Sequence, residues 1–213
     1  SRGTNYGVDV VVVSKQDFDT STLDRDDLTL LGERQLDFLR EWGSDGEKLR
    51  AVLSQSPFCQ PHHLMVADFD SNGWPQTGRR KALLAMKKAN ALHVGGDQHL
   101  PTVLQHGIDE FRDGPWAFIV PASVNNYYKR WWWPEDEAPG GGSDPTSPLP
   151  WTGDYLDGFG NRITMHAYAN PESASHGAGY GLVRFDTRSG LVIFECWPRD
   201  ADVTRPGAEP FPG

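Results

Sequence analysis

The chain has 213 residues and a formal net charge of −9, from 29 acidic against 20 basic side chains. That length suits one domain or a large piece of one, and the acidic balance, with basic residues only in small groups such as Arg79-Arg80-Lys81, excludes a general nucleic-acid binder with a basic face. No apolar run nears the roughly 20 residues a membrane helix needs and no basic-then-apolar leader opens the chain, so neither a membrane span nor a signal segment is expected, and exported and cytoplasmic locations both stay open.

In chain order, residues 8–14 (Val-Asp-Val-Val-Val-Val-Ser) form a β-branched, nearly continuous apolar run, as in a strand covered on both faces. Residues 32–42 place Leu36, Leu39 and Trp42 on one face among charges, which predicts an amphipathic helix. Leu49–Leu53 is a second strand, closed by Ser54-Gln55-Ser56-Pro57. Residues 60–76 read as loop, with His62-His63 and the turn Asp70-Ser71-Asn72-Gly73-Trp74-Pro75. Ala82, Leu83, Met86 and Ala89 predict a helix over 77–90 with Thr77 as its N-cap.

Then comes a short apolar strand, Leu92–Val94, ending in Gly95-Gly96-Asp97-Gln98-His99. Two glycines at a strand end turn the chain sharply or admit a close approach. If the chain stays extended, Asp97 and His99 point the same way and converge. A carboxylate beside an imidazole can ligate a divalent metal or act as a general acid–base pair. A turn aspartate beside a surface histidine has the same pattern. Strand–helix–strand rhythm is that of an α/β sheet, whose functional loops lie beyond the carboxyl ends of its strands, where Gln55, Asp97 and His99 would share one rim.

The second half changes character. Val103–Ile108, Trp116–Pro121, Ile163–Ala169, Gly181–Phe185 and Val192–Trp197 read as strands with no helix between them. A Gly/Pro/Ser-rich stretch over about 134–158 is expected as one long loop, and the tail 200–213 as loose chain. Cys59 and Cys196 cannot build a disulfide framework and are expected unpaired.

Several strings together resemble the alkaline phosphatase D branch of the calcineurin-like metallophosphoesterases. They are Gly96-Asp97-Gln98-His99, Gly107-Ile108-Asp109-Glu110-Phe111-Arg112-Asp113-Gly114, and Phe118-Ile119-Val120-Pro121-Ala122-Ser123. Leu31-Gly32-Glu33-Arg34-Gln35, the Asp70 turn with trailing Arg79, Lys129-Arg130-Trp131-Trp132-Trp133-Pro134, Asp157-Gly158-Phe159-Gly160-Asn161 and Phe194-Glu195-Cys196-Trp197-Pro198-Arg199 extend the likeness from about Tyr6 to Arg199.

The resemblance implies the C-terminal portion of a four-layer α/β/β/α sandwich over residues 1–199, β-rich in its second half. It also implies two or more metal ions (Ca, Fe, Mn or Zn) that activate a bound water against phosphorus. Asp97 and His99 match the branch's Gly-Asp-x-His, and Gln55 falls where the superfamily has a strand-end histidine. Asp70 completes the implied ligands, Asn72 joins Asp97 and His99 as a catalytic candidate, and Arg79 is a candidate substrate contact. The implied function is phosphodiester or phosphomonoester hydrolysis. The family's earlier ligand motifs have no counterpart here, so an upstream half of the same domain is an expected partner and this chain is expected to carry only part of the metal site. Lys15 and Asp17 fall where relatives carry an acidic residue and then an arginine, an exchange that keeps an ion pair but not bidentate phosphate contact.

Plainer readings stand beside these. Asx–Gly turn chemistry alone explains Asp70 and Asn72, His62-His63 reads as solvated loop, Arg79 equally as a solvated helix face, and His93 as a core histidine. Two other functions stay in view: a non-catalytic relative, and a binding module using the Tyr127–Trp133 and Trp151–Tyr155 aromatics, whose tryptophans also serve as packing material.

Overall fold

The computed structural model describes residues 20–44, 49–55, 57–61, 73–123, 142–143, 147–150, 152–169 and 178–211. The expected strand at 8–14, the Lys15/Asp17 exchange, His62-His63, Asp70, Asn72, Tyr127–Trp133 and Trp151 lie outside them.

After a short 3-10 turn at Thr20–Leu23, helix α1 spans Glu33–Trp42 and buries Leu36 and Leu39, the expected face. Gly32 precedes it in extended conformation, and Gln35 Oε1 accepts the Gly32 N–H at 3.0 Å, one half of a capping box. Strand β1 (Arg50–Leu53) leads to helix α2 (Gln76–Lys88) and strand β2 (Ala91–Gly95). The N-cap of α2 is Pro75, not Thr77. Thr77 lies in the first turn, where its N–H and its Oγ1 both donate to Asp24 Oδ2, at 2.7 and 2.8 Å. A distant carboxylate thus takes the acceptor role that Thr77 was expected to fill. Helix α2 hands over to β2 through Asn90 at φ 48°, the left-handed position that asparagine tolerates after a helix.

Strands β3 (Thr102–His106), β4 (Trp116–Ile119), β5 (Gly142–Ser143), β6 (Gly153–Leu156) and β7 (Arg162–Tyr168) complete a seven-stranded mixed sheet in the order β1-β2-β4-β3-β7-β6-β5. β1, β2 and β4 run parallel, and the other pairings are antiparallel. The architecture is mixed α/β, with no helix among the described residues from 115 to 198. Strand β6 corrects the expected long loop. Tyr155 pairs with Ile163 and is 2% exposed, so the end of this glycine-rich stretch is a strand packed into the core.

Register shows which face each layer covers. Val52, His93, Ala117 and Leu104 are cross-strand neighbours on one face. The α1–α2 core of Leu36, Leu39, Leu83 and Met86 packs there with Val52, and Leu104, Ala117, Ile163 and Met165 continue that face across the sheet. Phe118 points the other way and meets Phe194 of a separate hairpin, β8 (Gly179–Asp186) and β9 (Leu191–Pro198), with ring centroids 5.2 Å apart. Gly181 lies against Phe118, and a Cβ there would sit 2.6 Å from its ring. From 200 to 211 the chain turns back along β9, and the Phe211 N–H donates to Cys196 O at 2.7 Å.

Candidate functional site at the carboxyl ends of β1 and β2

The parallel strands β1 and β2 end side by side. Ser54 N–H donates to Val94 O (3.0 Å), and Val120 N–H donates to Gly95 O (2.9 Å), so pairing persists to the last residue of each strand. Gln55 follows β1 as an exposed residue on the rim. An added Cβ on Gly96 would sit 3.2 Å from Gln55 O, which is the physical reason for glycine there. The structure therefore brings Gln55 next to the Gly-Asp-x-His segment, as strand rhythm predicted.

The segment itself is not extended. Asp97 has φ 67° and His99 φ 54°, and Gln98 N–H donates to Gly96 O at 2.8 Å. The expected convergence by strand alternation does not apply, because two left-handed residues flank a tight bend. Such positions cost non-glycine residues of the order of 1 kcal/mol each and concentrate at functional sites. Asp97 and His99 are half-buried, and Asp97 Oδ2 is out of contact with solvent. Between them Gln98 is fully buried, and neither its Oε1 nor its Nε2 finds a hydrogen-bond partner. Burying an unsatisfied amide costs about 1–3 kcal/mol per group, so a bend this strained and this dry asks for a compensating ligand or contact.

Arg79 is neither at a phosphate-facing surface nor on a solvated helix face. It is 4% exposed, with Nε donating to Phe58 O (2.6 Å) and Nη1 to Gly107 O (3.2 Å). Gly78 beside it lets the first turn of α2 close on the segment before α1, since a Cβ there would lie 2.7 Å from Leu30 N. His93 is the core histidine expected, fully buried.

Three features were not singled out from sequence. Ser54 Oγ lies 2.6 Å from His93 Nε2, and His93 Nδ1 lies 3.2 Å from His106 Nε2. A polar wire thus runs from the rim inward. Burial and the Arg79 charge hold both rings below the ordinary histidine range, His93 down to about 3. The third feature is Asp157, also buried, which accepts N–H groups from Gln60, Phe159 and Asn161 and the Asn161 amide. Burial raises its pKa against the opposing pull of Arg79. Gly73 rests against this knot, its φ at 98° and its added Cβ 3.1 Å from Asn161 Nδ2. Gly73 is thereby packed against the 157–161 loop. The only advance signal was the string Asp157-Gly-Phe-Gly-Asn161, a short Asx–Gly turn.

Among the described residues no three His, Cys, Asp or Glu side chains gather as a metal-binding group. Nor is any described helix long and apolar enough to cross a membrane. The chain matches no protein-family model, no curated protein and no solved structure.

Proposed function

We propose that this chain carries part of the active site of a metal-dependent phosphoester hydrolase of the alkaline phosphatase D type. The observation that carries the reading is the adjacency of Gln55 to the strained Gly96-Asp97-Gln98-His99 bend, at the carboxyl ends of neighbouring parallel strands. Ligand sites of open α/β sheets fall at such ends. The donor chemistry suits a hard or borderline divalent ion: one carboxylate, one imidazole and one amide oxygen. The orphaned Gln98 amide argues for a further group at the bend. Asp97, His99 and Gln55 would hold one ion in part, with Asp70 and Asn72 as candidate further donors.

A bound ion supplies charge against a phosphoryl oxygen and an acidified water. The chain's own residues do the rest: Asp97 and His99 flank the bend as the candidate donors, and Gly96 lets that bend close against the Gln55 backbone. Asp157 holds the 157–161 loop, against which Gly73 packs. The lack of a three-residue metal group among the described residues favours one alternative, a relative that keeps the fold without a complete metal centre.

Metal uptake by the purified chain, followed with hydrolysis of an aryl phosphodiester, separates the two. Stoichiometric metal lost in Asp97→Asn and His99→Asn supports the hydrolase reading, and a chain that takes up no divalent ion overturns it. Turnover by the chain alone is expected to be slow, since two-metal catalysis needs ligands enough to fix both ions.

A further inference from the structure

β1, β2 and β4 run parallel, so their amino ends lie together at the end of the sheet opposite the Gln55–Asp97 rim. A cleft of about 560 Å³ opens there. Its floor is the sheet face that carries Phe118, here Leu92 with Trp116 and Gln105, the last two paired across β4 and β3. Its roof is Val192 and Phe194 of β9. The two layers touch where Gly181 lies against the Phe118 ring, and they part toward the hairpin turn. Large aromatics on the facing layers are therefore left open: Trp116 is 43% exposed, and Phe185, paired with Val192, is 39% exposed. A second cavity of about 870 Å³ shares Leu49, Arg50 and Asn90 with the first and reaches Phe185. Volumes of several hundred Å³ with an apolar floor and a few polar groups suit a small ligand.

The charge of the lining says which ligand. Among the described residues that line the two cavities, Arg50 and Lys87 are cationic and none is acidic, although the chain carries a net charge of −9. Lys87 is exposed in the last turn of α2. The two carboxylates whose field it feels have other partners: Asp109 pairs with Arg80 at 2.7 Å, and Asp113 accepts the N–H groups of Ile108, Asp109 and Glu110. Arg50 adds charge from the wall, where its Nη1 donates to Ala89 O at 3.1 Å. The floor is already stiff. Trp116 stacks on His166 with ring centroids 4.3 Å apart, and Gln105 Nε2 donates to both Arg112 O and Gly114 O. A ligand that stacks on a ring already held in place loses little to ordering it. We propose that this cleft binds small aromatic anions, with the flat ring on Trp116 and the negative charge toward Lys87 and Arg50. The site is separate from the strand-end rim and does not rest on the phosphoester reading.

The probe is 2-naphthoate, titrated by calorimetry into the full chain at low salt with no divalent metal added. Two twins separate its parts: naphthalene-2-methanol keeps the ring without the charge, and cyclohexanecarboxylate keeps the charge without the ring. Naphthoate should bind saturably, and each twin at least about fivefold more weakly. Lys87→Gln and Trp116→Leu should each cost about fivefold in affinity, while Lys88→Gln, an exposed neighbour that does not line the cleft, should match the parent. Proton–nitrogen NMR of the parent keeps the test independent of how well Trp116→Leu folds. The Trp116 indole N–H signal should shift along the same binding curve. Absence of saturable binding overturns the proposal, as does an alcohol bound as tightly as the acid or a parent-like affinity in Lys87→Gln. A Trp116 signal that stays still while naphthoate binds places the ligand elsewhere and overturns it too. Naphthoate affinity should be unchanged in Asp97→Asn, so failure at the strand-end rim and failure at this cleft are read separately.

Discussion

His93 and His106, thirteen residues apart on strands that do not pair with each other, meet nitrogen to nitrogen at 3.2 Å in an interior that contains Arg79. Two imidazoles beside a buried guanidinium stay neutral, and that neutrality makes the fold sensitive to acid. The unfolded chain takes up protons near pH 6.5, whereas the folded rings resist them, His93 down to about 3. Stability is therefore unaffected above about pH 6.5 and is lost as pH falls toward 3, by about 1.4 kcal/mol per pH unit for each ring. Urea midpoints measured from pH 7.5 to 5 should fall steeply in the parent and with about half that slope in His106→Phe. Asp157, raised by burial, acts in the opposite sense and is common to both proteins.

Asp157 accepts four hydrogen bonds and offsets the Arg79 charge. Asp157→Ala leaves backbone N–H groups of Gln60, Phe159 and Asn161 without an acceptor and Arg79 without its nearby carboxylate. Breaking a buried charge arrangement of this kind costs about 3–5 kcal/mol. Chemical denaturation should register at least that range, and a loss under about 1 kcal/mol would show that the loop is held by other contacts.

Gly181 is where the hairpin meets the sheet. A Cβ there would lie 2.6 Å from the Phe118 ring and 2.8 Å from Val120 Cγ1. Gly181→Val must push β8 off the sheet or rotate Phe118 against Phe194, at about 1–3 kcal/mol. Thermal unfolding should fall accordingly, and Phe118→Leu in the same chain should restore part of the loss.

Asp97 combines a left-handed backbone with a candidate ligand carboxylate. Asparagine tolerates that conformation and removes the charge. Asp97→Asn should thus keep the parent's unfolding midpoint while divalent-ion affinity drops about tenfold or more, read by calorimetry. Equal affinity would place the ion elsewhere.

Both cysteines are free, Cys59 fully buried and Cys196 half-buried. Burial raises both thiols, Cys196 to about 12, so neither carries appreciable thiolate at neutral pH. An aromatic disulfide reagent at pH 8 should titrate two thiols in denaturant and almost none, within minutes, in the folded chain.

Local pattern by itself determined much of this protein. The Leu36/Leu39 spacing placed α1, the Ala82–Met86 spacing placed α2, and the strands at 50–53, 91–95, 102–106, 116–119, 162–168, 179–186 and 191–198 lay where β-branched and apolar runs predicted them, within two residues at either end. Those signals survive because helix and strand periodicities are local properties of the chain. The rim was legible too, since a strand ending in two glycines beside an earlier strand end has few places to go.

Tertiary structure alone decided the rest. Arg79 looks like a surface cation in any window of sequence, and only the depth of α2 makes it the buried neighbour of two histidines. Strand β6 exists because β7 offers it a partner, not because its own residues favour it strongly. The Asp97–His99 bend left the extended path because the backbone bond from Gln98 to Gly96 and the crowding at Gln55 override local alternation. Ser54, His93 and His106 are separated by 39 and 13 residues, and polar groups so far apart carry no common period. Their meeting is a product of strand order, which is set by which faces must be buried together.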